Sequence, residues 1–278
     1  MTGASVALLA PGAQRDPRAL IEAIRQQGVT VAHFVPSMLD FVPSMLEPYV
    51  QTLLDDRRLA DSVSSLRCLF TSGEALSPAV VNRYRALFRN GAPAPRLINL
   101  YGPTEATVDV TYYELDLVTP NGYPINNTSI RIVSQHGVRQ PIGIPGELQI
   151  GGVQLARGYL NRAELTAERF ITDPHDNRRW YRSGDLACWA EDGSILYLGR
   201  MDGQVKIRGN RIELGEIKSA MLAQPQMLNA EVLVEDDEVR GKHLVAVYMS
   251  RQPLDERALR RQLAATPRHV SLPWNICR

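Results

Sequence analysis

An α/β core on a largely parallel sheet, then a mostly β segment, then a small α+β domain is the architecture this sequence predicts. Three observations carry it. From residue 6 to about residue 117, short apolar runs alternate with amphipathic stretches at the spacing of βαβ units. From about 116 to 198, strand-like runs are separated by Gly, Pro, Asn and Asp turns. Beyond Arg200, strands and helices alternate over about 75 residues, as in a small α+β domain. The predicted division is therefore 1–117, 118–200 and 201–278, with the last join near Arg200-Met201-Asp202.

In order along the chain, Val6-Ala7-Leu8-Leu9-Ala10 predicts a buried strand. A helix over 17–27 follows, because Asp16 can cap it and Pro17 lacks only an N–H that the first turn leaves unpaired. Gly28 stops it. Strands are predicted over 29–35, 66–71 and 97–100, and a helix over 78–88. Phe-Val-Pro-Ser-Met-Leu occurs at 34–39 and again at 41–46. The repeat is too short to be architectural and reads as a local duplication that extends the helix after the strand.

The β-rich part predicts strands over 129–133, 146–150 and 195–198, with Asp192-Gly193 as a hairpin turn before the last. A short helix over 165–170 is capped through Leu165-Thr166. The third part predicts strands over 205–207, 230–234 and 244–248, with helices over 213–223 and 254–264.

Bulk properties narrow the function. The 278 residues are 44% hydrophobic and 22% charged, ordinary for a soluble globular protein. The net charge of +1 makes no electrostatic case for nucleic acid or an anionic membrane surface. The basic residues are nearly all arginine; lysine occurs only at Lys206, Lys218 and Lys242. Cys68, Cys188 and Cys277 have no CxxC spacing, which argues against a disulfide framework and against zinc, and fits a reducing cytosol. No run reaches the length of a membrane span, and the N-terminal apolar patch lacks the basic region of a signal peptide. A cytoplasmic protein is expected.

Four polar, glycine-bearing clusters interrupt the elements. Thr71-Ser72-Gly73-Glu74-Ala75-Leu76 follows a strand, where glycine lets a ligand approach the backbone, although a plain turn would look alike. Asn99-Leu100-Tyr101-Gly102-Pro103-Thr104-Glu105 also follows a strand. It offers a stacking ring, a hydroxyl and a hard oxygen ligand, a set suited to a nucleotide with Mg²⁺; a helix start is the plainer alternative. Tyr181-Arg182-Ser183-Gly184-Asp185-Leu186 puts an acid after a glycine, as a ribose partner or a simple turn residue. The charged run from Leu198 to Ile217 places glycines around charges at the domain join, where hinges occur.

Together, and in this order, these clusters resemble the adenylate-forming superfamily, and within it the adenylation domains of nonribosomal peptide synthetases. The likeness runs from about residue 12 to 217. It includes Gly146-Glu147-Leu148-Gln149-Ile150-Gly151-Gly152 and Ala156-Arg157-Gly158-Tyr159-Leu160, continuing through Leu165-Thr166-Ala167-Glu168-Arg169-Phe170. The resemblance implies a partial N-terminal core of βα sheet layers plus a distorted β-barrel, with a small C-terminal mobile subdomain.

It also implies an activity. ATP and an amino acid give an aminoacyl-adenylate, with Mg²⁺, and the acyl group passes to the phosphopantetheine thiol of a peptidyl carrier protein. By motif, Gly73, Glu74 and Ala75 would line the adenine site, Tyr101 would stack on the base and Asn99 would read its edge. Thr104 would contact phosphate, Glu105 would hold Mg²⁺, Asp185 would bind the ribose hydroxyls, and Arg200 would support the ribose or phosphate. Asp202 would be the hinge, with Lys206 and the Gly209 loop serving the thioester-forming state. The implied amino-acid pocket is His33, Phe70, Ser72, Leu100, Val108 and Asp109, similar to that of serine-activating domains of siderophore and lipopeptide synthetases.

The sequence departs from the family at both ends. The family's Ser/Thr/Gly-rich phosphate loop and its amine-gripping aspartate do not occur before Val6. No Pro-x-x-x-Asn-Gly-Lys segment follows Lys242, and the final residues, Leu272 to Arg278, do not match the family. The expectation is a domain cut short at both ends, by a frameshift or premature stop at the second. Two readings of activity stay open: an adenylating enzyme in its full-length context, or a non-catalytic piece that docks a complementary fragment or a small MbtH-like partner.

Overall fold

The computed structural model describes residues 3–13, 16–36, 63–88, 94–115, 122–202, 204–207, 210–237, 241–252, 255, 258–259 and 274–277. It divides into two compact units, Met1–Gly199 and Arg200–Arg278.

The first helix, α1 (Pro17–Gln27), forms for local reasons. Asp16 accepts from the Arg18 N–H at 2.9 Å, and Gly28 closes the helix in the left-handed region. Strands β1 (Val31–Phe34), β2 (Cys68–Thr71) and β3 (Arg96–Tyr101) lie side by side and parallel, with α2 (Pro78–Leu87) between the last two in sequence. Antiparallel β4 (Thr111–Glu114) and β5 (Tyr123–Pro124) complete a five-stranded sheet in sequential order. Leu69, Leu76, Val80, Val81 and Leu97 pack α2 onto this sheet. Each such aliphatic burial is worth roughly 1.5–3 kcal/mol.

The second sheet has the order β10-β9-β7-β6. Its strands are β6 (Thr128–Val133), β7 (Gly146–Gly152), β9 (Arg179–Trp189) and β10 (Ile195–Arg200). Helix α3 (Ala163–Arg169) leads into β8 (Phe170–Thr172), which pairs with β9. The turn between β9 and β10 is closed by Ala190 N–H donating to the Ser194 carbonyl at 2.8 Å, with Gly193 at φ 80°, as Asp192-Gly193 predicts. Leu148, Ile150, Tyr181 and Ile195 are fully buried in the core beneath this sheet.

The second unit holds a hairpin of β11 (Gln204–Ile207) and β12 (Asn210–Glu213), then helix α4 (Leu214–Leu222). A three-stranded sheet follows, of β13 (Met227–Asp237), β14 (Gly241–Ser250) and β15 (Trp274–Cys277). Ile207, Ile212, Ile217, Met221 and Leu244 form its centre.

Three expectations are corrected. Residues 6–10 are not a buried strand: they form no regular element, and Val6 and Leu8 are 84% and 86% exposed. An apolar run becomes a strand only where a neighbour completes its ladder, and no described strand pairs with it. The short helix begins at Ala163 and has no side-chain cap, because the Thr166 hydroxyl is engaged within the fold instead. Asp185 does not follow a surface turn. It lies inside β9, where the register against β7 shifts between Glu147 and Gln149, a bulge that Gly184 accommodates at φ 71°. The duplicated segment from 37 onward, the Gly209 loop and most of the helix expected over 254–264 fall outside the described residues.

Candidate functional site

Parallel strands β1, β2 and β3 deliver their carboxyl ends to one edge of the first sheet, the edge where α/β sheets bind ligands. The register aligns His33 with Phe70 and Phe70 with Ile98, and then Phe34 with Thr71 and Thr71 with Asn99. Because β4 runs antiparallel to β3, the loop preceding it, which carries Val108 and Asp109, returns to the same edge.

Three polar groups meet there. His33 Nε2 lies 2.7 Å from Ser72 Oγ. Asp109 feels the field of His33, while burial pushes its carboxyl above the ordinary range. Its Oδ1 is buried without a hydrogen-bond partner in the protein, so this edge holds an unsatisfied acceptor.

The loop that carries it is strained. Thr107 and Val108 both adopt left-handed conformations, at φ 58° and 74°, an outlier for a β-branched residue. It crosses against Gly102, where an added Cβ would run into the Val108 carbonyl. Val108 itself is exposed. Thr107 Oγ1 anchors the loop by donating to the Gln154 carbonyl at 2.7 Å.

The loop after β2 has Gly73 at φ 89°, and the Ser72 N–H reaches the Phe34 carbonyl at 3.3 Å. Glu74 is half-buried and Ala75 exposed. Asn99 is buried, with its Oδ1 accepting from Thr71 Oγ1 at 3.3 Å. Phe70 and Leu100 are half-buried on the neighbouring strands.

Beyond β3, Thr104–Ala106 form one 3₁₀ turn with Thr104 exposed and Glu105 half-buried. Tyr159 Oη donates to Glu105 Oε1 at 2.7 Å. Tyr101 Oη donates to Asp185 Oδ2 in a very short bond, and burial, with Asp185 beside it, raises the Tyr101 phenol well above its usual range. Ser183 Oγ donates to the Leu148 carbonyl at 2.6 Å and accepts from the Asp185 N–H at 3.0 Å, holding the bulge that aims Asp185.

Arg200 and Asp202 form a forked ion pair, with Nε to Oδ1 at 2.9 Å and Nη2 to Oδ2 at 2.5 Å. Lys206 sits on β11, half-buried. Tyr159, Gly102 and Thr107 join the site without a role that the sequence alone assigns them; the one signal it offers is the aromatic after glycine in Gly158-Tyr159.

No group of three His, Cys, Asp or Glu among the described residues could hold a metal. Glu105 offers a single half-buried carboxylate, a hard oxygen donor of the kind Mg²⁺ takes when phosphate and water complete its ligands. No helix among the described residues is long and apolar enough to cross a membrane.

The chain belongs to the AMP-binding enzyme family, whose model matches residues 1–160. Its relatives include peptide synthetases. It is 43% identical over 272 residues to a mycosubtilin synthase of Bacillus subtilis, covering 95% of this chain and 10% of that protein. It is 41% identical over 289 residues to enterobactin synthase component F of Escherichia coli strain K12, covering 97% of this chain and 21% of that protein. Among solved structures it is similar to PA1221, an NRPS protein containing adenylation and PCP domains, with a TM-score of 0.75 and 28% identity. That match covers 94% of this chain and 50% of that one, so the chain spans half or less of each of these relatives.

Proposed function

We propose that this chain serves amino-acid activation in nonribosomal peptide synthesis, with serine as the substrate. In that reaction a carboxylate oxygen of the amino acid attacks the α-phosphorus of ATP. The bond to the bridging oxygen breaks, and pyrophosphate leaves from an aminoacyl-adenylate. A phosphopantetheine thiol on a carrier protein then displaces AMP and forms a thioester. The observation that carries this function is the convergence at one sheet edge of the 72–75 loop, the 101–105 turn and the His33–Ser72 pair beside Asp109.

The serine assignment rests on three polar groups suited to one small hydroxyl. His33 and Ser72 can each donate or accept, and the unpartnered Asp109 oxygen can accept. Phe70, Leu100 and Val108 supply apolar surface on the adjoining strand and loop positions. A pocket built to bond a hydroxyl rejects the analogue that lacks one.

Gly73, Glu74 and Ala75 would then face adenine, with Tyr101 and Asn99 beside it and Thr104 at phosphate. Mg²⁺ at Glu105 would neutralise phosphate charge. Asp185, braced by Tyr101, would serve the ribose hydroxyls, and Arg200 would act through its fork on the hinge residue Asp202. Lys206 would serve thioester formation. The partners are a peptidyl carrier protein, other synthetase domains and an MbtH-like protein, in the cytoplasm. Siderophore or lipopeptide assembly is the fitting context, given relatives named for enterobactin and mycosubtilin.

Amino-acid-dependent exchange of labelled pyrophosphate into ATP tests this directly. Serine should give the strongest signal and alanine little. Absence of exchange with every amino acid would remove the catalytic function for this chain and leave the docking alternative.

A further inference from the structure

We propose that Tyr159 is a positioning residue for Glu105, holding the carboxylate in the orientation that receives a phosphate-bound Mg²⁺; the inference rests on the nucleotide site proposed above. The two residues are 54 positions apart, and only the fold joins them, through the Tyr159 Oη donation to Glu105 Oε1 at 2.7 Å. The backbone repeats the connection: the Glu105 carbonyl accepts from the Ala156 N–H at 2.8 Å. The 3₁₀ turn is therefore held at both main chain and side chain by one segment, residues 156–159.

Tyr159 is itself fixed. Its N–H donates to Thr166 Oγ1 at 2.9 Å, and that hydroxyl donates to the Arg162 carbonyl at 2.8 Å. Its ring stands edge-on to Phe170, with centroids 5.7 Å apart. Gly158, at φ +149°, allows the segment to pass where an added Cβ would strike the Thr166 side chain. A long, flexible carboxylate would otherwise sample many rotamers, each lost on metal binding.

The type of donor matters. A phenol hydroxyl is an uncharged donor. A neutral donor orients the carboxylate without cancelling the charge that a divalent cation needs. Arginine or lysine at that place would compete with the metal. Partners that orient a metal ligand typically contribute about 10–100-fold to metal affinity.

The test is ATP binding by the full chain, by calorimetry with and without Mg²⁺, and AMP binding without metal as the reference. Wild type, Tyr159→Phe, Glu105→Gln and the double variant are compared. Tyr159→Phe should cut the Mg²⁺-dependent gain in ATP affinity by about 10–100-fold and leave AMP binding unchanged. The double variant should be no weaker than Glu105→Gln, since Tyr159 acts only through that carboxylate. A wild-type Mg²⁺ response in Tyr159→Phe, with the response lost in Glu105→Gln, would overturn the positioning role and leave the nucleotide site standing. An unchanged response in Glu105→Gln, or none in wild type, would overturn both. Should Tyr159→Phe misfold by circular dichroism, Thr166→Val, which unseats the Tyr159 backbone, should lower the same Mg²⁺ gain; no change would count against the role.

Discussion

His33 Nε2 and Ser72 Oγ, 39 residues apart in sequence, share a hydrogen bond of 2.7 Å that ties the end of β1 to the loop after β2. The parallel pairing of His33 with Phe70 sets this distance, because it brings the residue two past Phe70 to the same edge. Removing the Ser72 hydroxyl leaves His33 without that partner and removes one of the groups proposed to bond a substrate hydroxyl. Ser72→Ala is expected to reduce the kcat/KM ratio for serine over alanine by about 100-fold, read by pyrophosphate exchange.

Asp109 yields a pH prediction. Its folded-state pKa is raised by burial above the ordinary 3.8, a shift that His33 partly offsets. A raised folded pKa means the folded state holds the proton more tightly than the unfolded chain does. The associated stability is fully present below the unfolded value and is lost as pH rises through the folded one. Asp109→Asn should therefore melt above wild type at neutral pH, and the gap should shrink as pH falls toward 3.8. A gap in the thermal midpoint that is constant across this window would rule out Asp109 as its source.

Gly102 lies where the backbone of the 107–109 loop crosses the end of β3. Gly102→Ala drives a methyl into the Val108 carbonyl, and backbone cannot swing aside as a side chain does. The strained 107–109 loop must move and take Asp109 with it. The expected cost is about 1–3 kcal/mol in denaturant unfolding, as for other overpacked sites, together with a raised KM for serine.

The Arg200–Asp202 fork carries a different expectation. The pair is bidentate and Arg200 is largely shielded from solvent, so Asp202→Asn, which keeps the size but loses the charge, should lower the thermal midpoint. If Asp202 is the hinge, the same variant should alter the ratio of pyrophosphate exchange to carrier-thioester formation. Parallel assays of both half-reactions read this ratio. Equal loss in both would argue that the fork has no hinge role.

What was legible in advance was local. Helix α1 could be read to the residue because Asp16, Pro17 and Gly28 carry its start and stop in their own chemistry. The hairpin at Asp192-Gly193 was legible for the same reason. Residues 6–10 show the converse: an apolar run states a willingness to pair, and no described strand answers it. Short β4, β5, β8 and β12 have little periodicity to reveal them, and their neighbours set their pairing. Thr166 resembles a helix cap in sequence, yet its hydroxyl accepts from the Tyr159 N–H and donates to the Arg162 carbonyl, partners in the loop that precedes α3.

The family, the order of the motifs and the residue types at the sheet edge are readable along the chain, because they depend on residues close together in it. Folding sets which of them meet as pairs: His33 with Ser72, Tyr101 with Asp185, and Glu105 with Tyr159, at separations of 39, 84 and 54 residues. Strand register brings Ser72 to His33, a bulge in β9 aims Asp185 at Tyr101, and the 156–159 segment packs against the turn that carries Glu105; each meeting depends on neighbouring elements rather than on any one segment.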